Sequence, residues 1–353
     1  MTASSSNSGS ESISYEKSGV NINTADAAKR DMAKTLATSN PRVLNTVGAF
    51  ASLYDFNFPE IKSPVLVVKM EEPGTKQLLA AQHGRLSDIG FDLINHLIND
   101  TVVMGARPLV VLDTIICGKL EKADVVGLVK TMSKACQDQG CNLVGGETSE
   151  QPRVIPVGTY ILSACCVGVV DREKVIDGSK IGVGDVVLGI SSNGVHTNGY
   201  TLVRSLLDRN PKFAEQKIGS STVLDEALRP HLCYNKELQV LFQKTTLHGL
   251  AHITGGGVVD NLGRIIPEGL QAEIDLGSIR VLDIFKAIAR EGNVPEADML
   301  RTFNLGVGLI AVAPAASVAA IVEEFAKSGV PAYQIGRIEQ GAQKVKVSGK
   351  LSL

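Results

Sequence analysis

Four carboxylates stand inside or at the ends of otherwise apolar segments: Glu71, Asp100, Asp113 and Glu147. A carboxylate is costly to bury unless something pairs with it. One such partner is a hard cation, and Mg²⁺ usually takes a few carboxylates together with substrate phosphates. A helix cap or a neighbouring Lys or Arg is the other, and it accounts better for any one of the four taken singly. Four in one half of the chain tip the balance towards a metal site. The stretch Pro73-Gly74-Thr75-Lys76 leaves an apolar run, so Gly74 lets backbone approach a ligand and Lys76 offers a point charge to a phosphate. The spacing of a P-loop is absent.

Two further segments are rich in glycine and small hydroxyl residues. One is Ser191 to Gly199, with Ser192, Asn193, Gly194, His196, Thr197 and Asn198, and the other is Thr254-Gly255-Gly256-Gly257. Each lies between a strand-like and a helix-like run, where free backbone N–H groups and a helix dipole can hold an anion. Close helix–strand packing without a ligand explains either loop as well. His196 is a candidate substrate contact or proton carrier, although spacing alone does not decide between that and a structural role. His83, His231, His248 and His252 form no HxxxH or HExxH pattern, so no zinc-hydrolase motif is present. No GxSxG nucleophile signature occurs either.

The elements that must position these residues can be read from periodicity. Pro64 to Lys69 is an apolar strand, and Ile89 to Met104 a helix with Ile89, Leu93 and Leu97 on one face and Asp92, His96 and Asp100 on the other. Gly105 and Pro108 end it. A strand over Leu109 to Ile116, a helix from about Ala123 to Gln139, and strands CNLVGGE and TYILSACCVGVV complete a first α+β unit. The polar stretch Asp171 to Gly184 is a boundary. Beyond it, strand VVLGI, helix YTLVRSLL, strand LAHI, helix VVDNLGRII, strand LIAVA and a helix over Ala315 to Ser328 make an α/β unit. The expected division is a disordered Ser-rich leader over 1–13, a first domain over 14–171 and a second over 172–345.

The 353 residues suit two domains, and a chain of this length needs no disulfide staple. A formal net charge of −2 gives no overall pull towards nucleic acid or anionic membrane. The six cysteines include no CxxC pair, and adjacent Cys165 and Cys166 point to opposite faces of a strand, as buried small hydrophobes do. Reduced thiols fit a cytoplasmic protein. The leader lacks the marks of a signal peptide, and no apolar run reaches membrane-spanning length.

The segments SYEKSGVNI, PGTK, HLINDTVVMGARPL, LDT, GCNLVGGETSE, VIDGSKIGVGDVVLG, SSNGVHTNGYTLVR, HITGGGVVDN, GNV and RTFNLGVG occur in this order from about Ser14 to Gln340. The series resembles the aminoimidazole ribonucleotide synthetase superfamily, and HITGGG and RTFNLGVG are most similar to its purine-pathway cyclo-ligases. The resemblance implies an N-terminal domain that dimerises through its sheet and binds ATP and Mg²⁺, with a C-terminal α/β domain that holds a ribose phosphate. It implies ATP-driven ring closure of formylglycinamidine ribonucleotide. By motif, Asn99 and Asp100 fall on the family's Asn-Asp pair, and Gly145, Gly146 and Glu147 on its Gly-Gly-Glu. Gly74, Thr75 and Lys76 fall on its Gly-Thr-Lys, Asn198 and Gly199 on its loop Asn-Gly, Thr254 to Gly257 on its glycine turn, and Asn304 on its Thr-Phe-Asn. The implied roles are catalysis for Lys76, Asp100 and His196, and metal binding for Glu71, Asp100, Asp113 and Glu147.

The chain departs from the family where KMEEPGTK replaces a glycine-rich Gly-Thr-Asp-Gly-Val-Gly-Thr-Lys, so that the acidic ligand becomes Glu71 and Glu72-Pro73 replaces Gly-Val. NTVGAFASL is thinner in glycine than the family's stretch, and Glu16 stands at a lysine position with Lys17 beside it. Two alternatives remain. Another ATP-using member of the superfamily is one, although no Cys precedes Cys117 and the chain ends in KLSL rather than in a cysteine. A non-catalytic nucleotide-binding paralogue is the other, favoured only by the altered EEPGTK segment.

Overall fold

The computed structural model describes residues 22–45 and 48–353. The Ser-rich leader, Glu16 and Lys17 therefore lie outside the described residues, as does part of NTVGAFASL. Helix α1 (Ile22–Leu36) precedes a four-stranded sheet of β1 (Pro64–Glu71), β2 (Arg107–Cys117), β3 (Asn142–Glu150) and β4 (Tyr160–Asp171). The strand order is β1-β4-β2-β3, with only β2 and β3 parallel. Helices α2 (Lys76–Gln82) and α3 (Ile89–Val102) link β1 to β2, and α4 (Lys122–Asp138) links β2 to β3. Helices α3 and α4 bury one face of the sheet through residues such as Leu93, Leu97, Leu128 and Met132. The other face is apolar but open, with Leu66, Val68 and Met70 of β1 between 55% and 62% exposed and Leu112 and Ile161 beside them.

The second unit comprises β5 (Val186–Ser191), α5 (Tyr200–Arg209), a short hairpin of β6 (Lys217–Ile218) and β7 (Ser221–Thr222), α6 (Val223–Ala227) and α7 (Asn235–Lys244). It continues with β8 (Gly249–His252), α8 (Gly257–Gly263), β9 (Leu270–Asp275), α9 (Asp283–Gly292) and α10 (Glu296–Thr302). β10 (Val307–Ala313), α11 (Val318–Lys327), β11 (Ala332–Gln340) and β12 (Val345–Ser348) complete it. Its six-stranded sheet runs β12-β9-β11-β5-β10-β8. The strand–loop–helix alternation does not yield a parallel sheet, since every pairing except β9 with β12 is antiparallel. β10 lies between β5 and the edge strand β8, and all seven of its residues are buried.

The two units meet on the polar side of α3. That stripe faces the segment 229–234 of the second unit rather than solvent. Asn95 donates to the His231 carbonyl at 2.7 Å, and Asn99 donates to the Leu232 carbonyl while accepting from the Tyr234 N–H. Asp92 accepts from the His231 N–H at 2.8 Å and from the Lys76 ammonium at 2.7 Å. Lys76 donates again to the Arg229 carbonyl at 2.6 Å. Both Lys76 and Asp92 are wholly buried. Burial pulls them towards their neutral forms, pushing Asp92 up to about 6 and Lys76 down, against the attraction between them.

A buried ion pair that loses one member leaves an uncompensated charge. Lys76→Met is therefore expected to cost about 3–5 kcal/mol. The double variant Lys76→Met/Asp92→Leu should recover at least half of that loss. Urea unfolding of the two single variants and the double variant measures the coupling, and additive losses would show that the pair does not act as a unit.

Candidate active site

Alternation along β1 puts Lys69 and Glu71 on one side of the strand, and one helical turn puts His96 and Asp100 on one side of α3. The two pairs meet. The Lys69 ammonium lies 2.6 Å from Glu71 Oε1 and 3.0 Å from Asp100 Oδ2, bridging two of the carboxylates singled out from sequence. Burial alone would raise the Asp100 carboxyl, but the hydrogen bond and charge of His252, with His96 and Lys69, hold it well below the usual carboxylate range. Burial likewise opposes the charged form of Lys69, yet Glu71 and Asp100 raise it on balance. His96 Nε2 points between Asp100 Oδ2 at 3.8 Å and Glu71 Oε1 at 3.9 Å.

Behind this group lie three more imidazoles from the second unit. His196 comes from the loop after β5, His231 from the segment before α7, and His252 from the end of β8. His252 Nδ1 is 2.7 Å from Asp100 Oδ1, and its Nε2 is 3.0 Å from His231 Nε2. The His196 and His231 rings stack with centroids 3.8 Å apart. Thr197 Oγ1 lies 3.0 Å from His96 Nδ1 and 3.4 Å from His231 Nδ1. Burial drives His96 down to about 4 and His196 and His231 well below the usual imidazole value. Sequence spacing carried no sign of this cluster, because its members are 21 to 156 positions apart. The one available signal was the i, i+4 pair His96 and Asp100 on a helix.

The four acidic residues do not form one site. Glu71 and Asp113 flank Ala164 from opposite sides in the same row of the sheet, two strand spacings apart or roughly 9–10 Å. Glu147 pairs with Thr114, one residue further along, and so projects from the other face. Asp113 of β2 and Glu147 of β3 nonetheless both line a cavity of about 540 Å³ at the β3 edge, together with Phe50, Ser52, Gly145 and Gly146. Gly146 is needed there, since a Cβ would fall 2.3 Å from Asp113 Oδ1.

Lys76 is a second correction. Its ammonium is wholly buried and spent on Asp92 and the Arg229 carbonyl, while Gly74 packs at φ +64° against the Thr197 carbonyl. Asn99 is equally committed to the unit junction. Ser192 and Asn304 are buried and bonded to each other at 2.8 Å, and Asn304 also donates to the Gly194 carbonyl. They shape the 191–199 loop from behind. Asn193, Asn198, Thr254, Gly255 and Gly256 remain at least half-buried or open, so the accessible part of both loops is smaller than their sequence suggests. Gly199, at φ +79°, turns its backbone against the Phe303 ring.

Residues 60–170 match the family model described as AIR synthase related protein, N-terminal domain, and residues 182–348 match its C-terminal counterpart. A phosphoribosylformylglycinamidine cyclo-ligase of Methylobacillus flagellatus is 40% identical over 338 residues, covering 95% of this chain and 97% of that protein. One of Carboxydothermus hydrogenoformans is 38% identical, covering 96% and 99%. The chain belongs to the phosphoribosylformylglycinamidine cyclo-ligase family. Solved structures place the same fold more widely. Escherichia coli HypE, a hydrogenase maturation protein, superposes with a TM-score of 0.67 at 16% identity, covering 92% of this chain and 94% of that one. Thiamine-monophosphate kinase from Stenotrophomonas maltophilia gives 0.65 at 19%, covering 92% and 96%. At such identities the likeness is one of fold, so the cyclo-ligase assignment rests on the closer relatives.

Within this cyclo-ligase family member, Asp113 is, among the described residues, the carboxylate that burial raises furthest. Burial raises it to about 7, and only its own backbone N–H opposes the shift. A carboxyl raised on folding carries no penalty below its unfolded value near 4, and the penalty grows as pH rises to about 7. Asp113→Asn is therefore expected to be more stable than the parent at pH 8, by on the order of 2–4 kcal/mol without ligand, and to lose that advantage at pH 4. Urea midpoints at the two pH values check the sign.

Proposed function

We propose that the chain uses ATP to close the imidazole ring of formylglycinamidine ribonucleotide, releasing 5-aminoimidazole ribonucleotide, ADP and phosphate. The observation that carries this reading is the 40% identity to a cyclo-ligase across 95% of the chain. ATP phosphorylates the formamide oxygen, an internal nitrogen attacks the activated carbon, and phosphate leaves. Such chemistry needs positioning and charge neutralisation more than a protein nucleophile.

The residues divide that labour. Asp113 borders the β3-edge cavity, and its uncompensated carboxyl fits a cation there, so it is the Mg²⁺ ligand of the reading, while Glu147 lines the same cavity from the other face of the sheet. Mg²⁺ supplies charge neutralisation to the ATP phosphates. Gly145 and Gly146 bring backbone close to the nucleotide. Lys69, held by Glu71 and Asp100, presents a fixed positive charge, which takes the part first assigned to Lys76. Asn193, Asn198 and Thr254 to Gly256 line the substrate side, and His196 stays behind them as a positioning residue. The six free cysteines fit a reducing compartment, and we place the activity in the cytoplasm.

A second copy of the chain covers the open sheet face in this reading. Leu66, Val68, Met70, Leu112 and Ile161 form an apolar surface on a paired sheet, which suits a symmetric sheet-to-sheet contact. Among the described residues no helix is long and apolar enough to cross a membrane.

Purified protein given ATP, Mg²⁺ and formylglycinamidine ribonucleotide should form ADP only with the ribonucleotide present, together with the aminoimidazole product. ADP formation indifferent to that substrate would sink the assignment. Asp100→Asn is expected to lower kcat/KM by roughly 10²-fold by freeing Lys69 and His252. Light scattering should give a dimer for the parent and a monomer for Val68→Glu, and a monomeric parent would refute the sheet-face contact.

A further inference from the structure

Three of the buried imidazoles form a hydrogen-bonded chain whose direction can be read from its first member. His96 Nε2 is buried and without a partner, standing 3.8 Å from Asp100 Oδ2 and 3.9 Å from Glu71 Oε1. An N–H aimed between two carboxylates would close on one of them to about 2.8 Å, so this nitrogen is a lone pair. His96, which burial keeps neutral, then carries its proton on Nδ1 and donates to Thr197 Oγ1 at 3.0 Å. The single Thr197 hydroxyl proton goes to His231 Nδ1 at 3.4 Å. His231 donates in turn from Nε2 to His252 Nε2 at 3.0 Å, and His252 from Nδ1 to the Asp100 carboxylate at 2.7 Å. Each contact holds one proton, and all of them run from His96 towards Asp100.

The free lone pair of His96 therefore joins two carboxylate oxygens in a cradle of three acceptors. Two carboxylates and an imidazole make a ligand set for a divalent transition ion, and the separations of 3.8 and 3.9 Å come within about half an ångström of those around one such ion. The cradle holds the chain's own cation instead. Lys69 reaches Glu71 Oε1 at 2.6 Å and Asp100 Oδ2 at 3.0 Å, and both carboxylates favour its charged form against burial. Its side chain is still 34% exposed, so it is not sealed from the cleft. Glu71 and Asp100, which the resemblance counts among the Mg²⁺ ligands, thus do not fit that ion. Lys69 bridges them, and His96 offers nitrogen, which suits transition ions rather than Mg²⁺.

We propose that Lys69 is a tethered cation in a divalent-metal position. The cradle of Glu71, Asp100 and His96 takes no metal ion while Lys69 is present, and opens to an ion of the Mn²⁺ or Zn²⁺ class when Lys69 is removed. In the parent the ammonium stands in for that ion and neutralises charge on the ATP phosphates, a role that rests on the cyclo-ligase reading above. Occupancy of the cradle does not rest on it. Divalent-ion dependence of the reaction then comes from the cavity beside Asp113 and from ATP itself.

The test uses the untagged full-length chain without nucleotide, titrated with Mn²⁺. Free Mn²⁺ is counted by its electron paramagnetic resonance, and electron spin-echo modulation reports any imidazole nitrogen on the bound ion. The parent is expected to show no nitrogen modulation, and Lys69→Arg, which keeps the charge, should behave as the parent does. Lys69→Ala should bind one additional Mn²⁺ per chain, with a nitrogen modulation that Lys69→Ala/His96→Gln lacks. Lys69→Ala is prepared with Mn²⁺ present, since the ion replaces the lost charge, and a chain that stays unfolded with it overturns the cradle. So does nitrogen-coupled Mn²⁺ in the parent, or a folded Lys69→Ala that binds no additional ion. With ATP, Mg²⁺ and the ribonucleotide, Lys69→Ala should lower kcat/KM about 10²-fold, of which Mn²⁺ should restore about 10-fold or more. Unchanged kcat/KM removes Lys69 from the reaction. The binding readouts need no substrate, so a parent without ring-closing activity refutes the cyclo-ligase reading and leaves the cradle standing.

Discussion

The burial of the Lys76–Asp92 ion pair is the constraint on which the arrangement of this molecule depends. Both charges leave water, and the pair persists because Asp92 also accepts from the His231 N–H and Lys76 also donates to the Arg229 carbonyl. Those two extra bonds come from the second unit. The first unit therefore cannot satisfy its own buried charges, and docking of the segment 229–234 on α3 completes them. Once that segment is docked, His231 is delivered beside His252 and Thr197 beside His96. Cleft and junction are in this sense one structure.

The same helix explains why polar residues cluster where they do. α3 packs Leu93, Leu97 and its other apolar residues on the sheet, which leaves Asp92, Asn95, His96, Asn99 and Asp100 on the side that meets the second unit. In water such a stripe would be an ordinary solvated face. Here each member is given a specific partner, and a low dielectric makes each pairing matter more. Lys69 holding Glu71 and Asp100 follows the same logic, with an ammonium in the position a metal ion was expected to take. Asp113, raised by burial with only a backbone hydrogen bond acting against it among the described residues, shows the opposite outcome.

The fold is shared with a kinase of thiamine monophosphate and with hydrogenase maturation proteins at below 20% identity. Layers and strand order are evidently compatible with several chemistries. The particular side chains at the end of β1, on α3 and in the loops after β5 and β8 decide which chemistry a given member performs.

Much of the architecture was legible from the sequence itself. β1, α3, β2, α4 and β4 have strong periodicity and clear stops such as Gly105, and their observed limits differ from expectation by a few residues. Glycine loops at 191–199 and 254–257 and the carboxylates of the first unit were also visible, since local composition marks them. The order of ten motifs was enough to indicate the family. Elements such as α10, β9 and β12 are hard to read because they are short and their faces are set by neighbours, whereas α9 carries a clear apolar face in Ile284, Phe285 and Ile288 that its sequence displays. What only the tertiary structure decided is partnership. Whether Lys76 meets a phosphate or Asp92, whether four carboxylates share one ion, and whether scattered histidines converge depend on contacts across dozens to more than a hundred positions. Strand register and helix docking set those contacts, and neither leaves a trace in the spacing of residues along one segment.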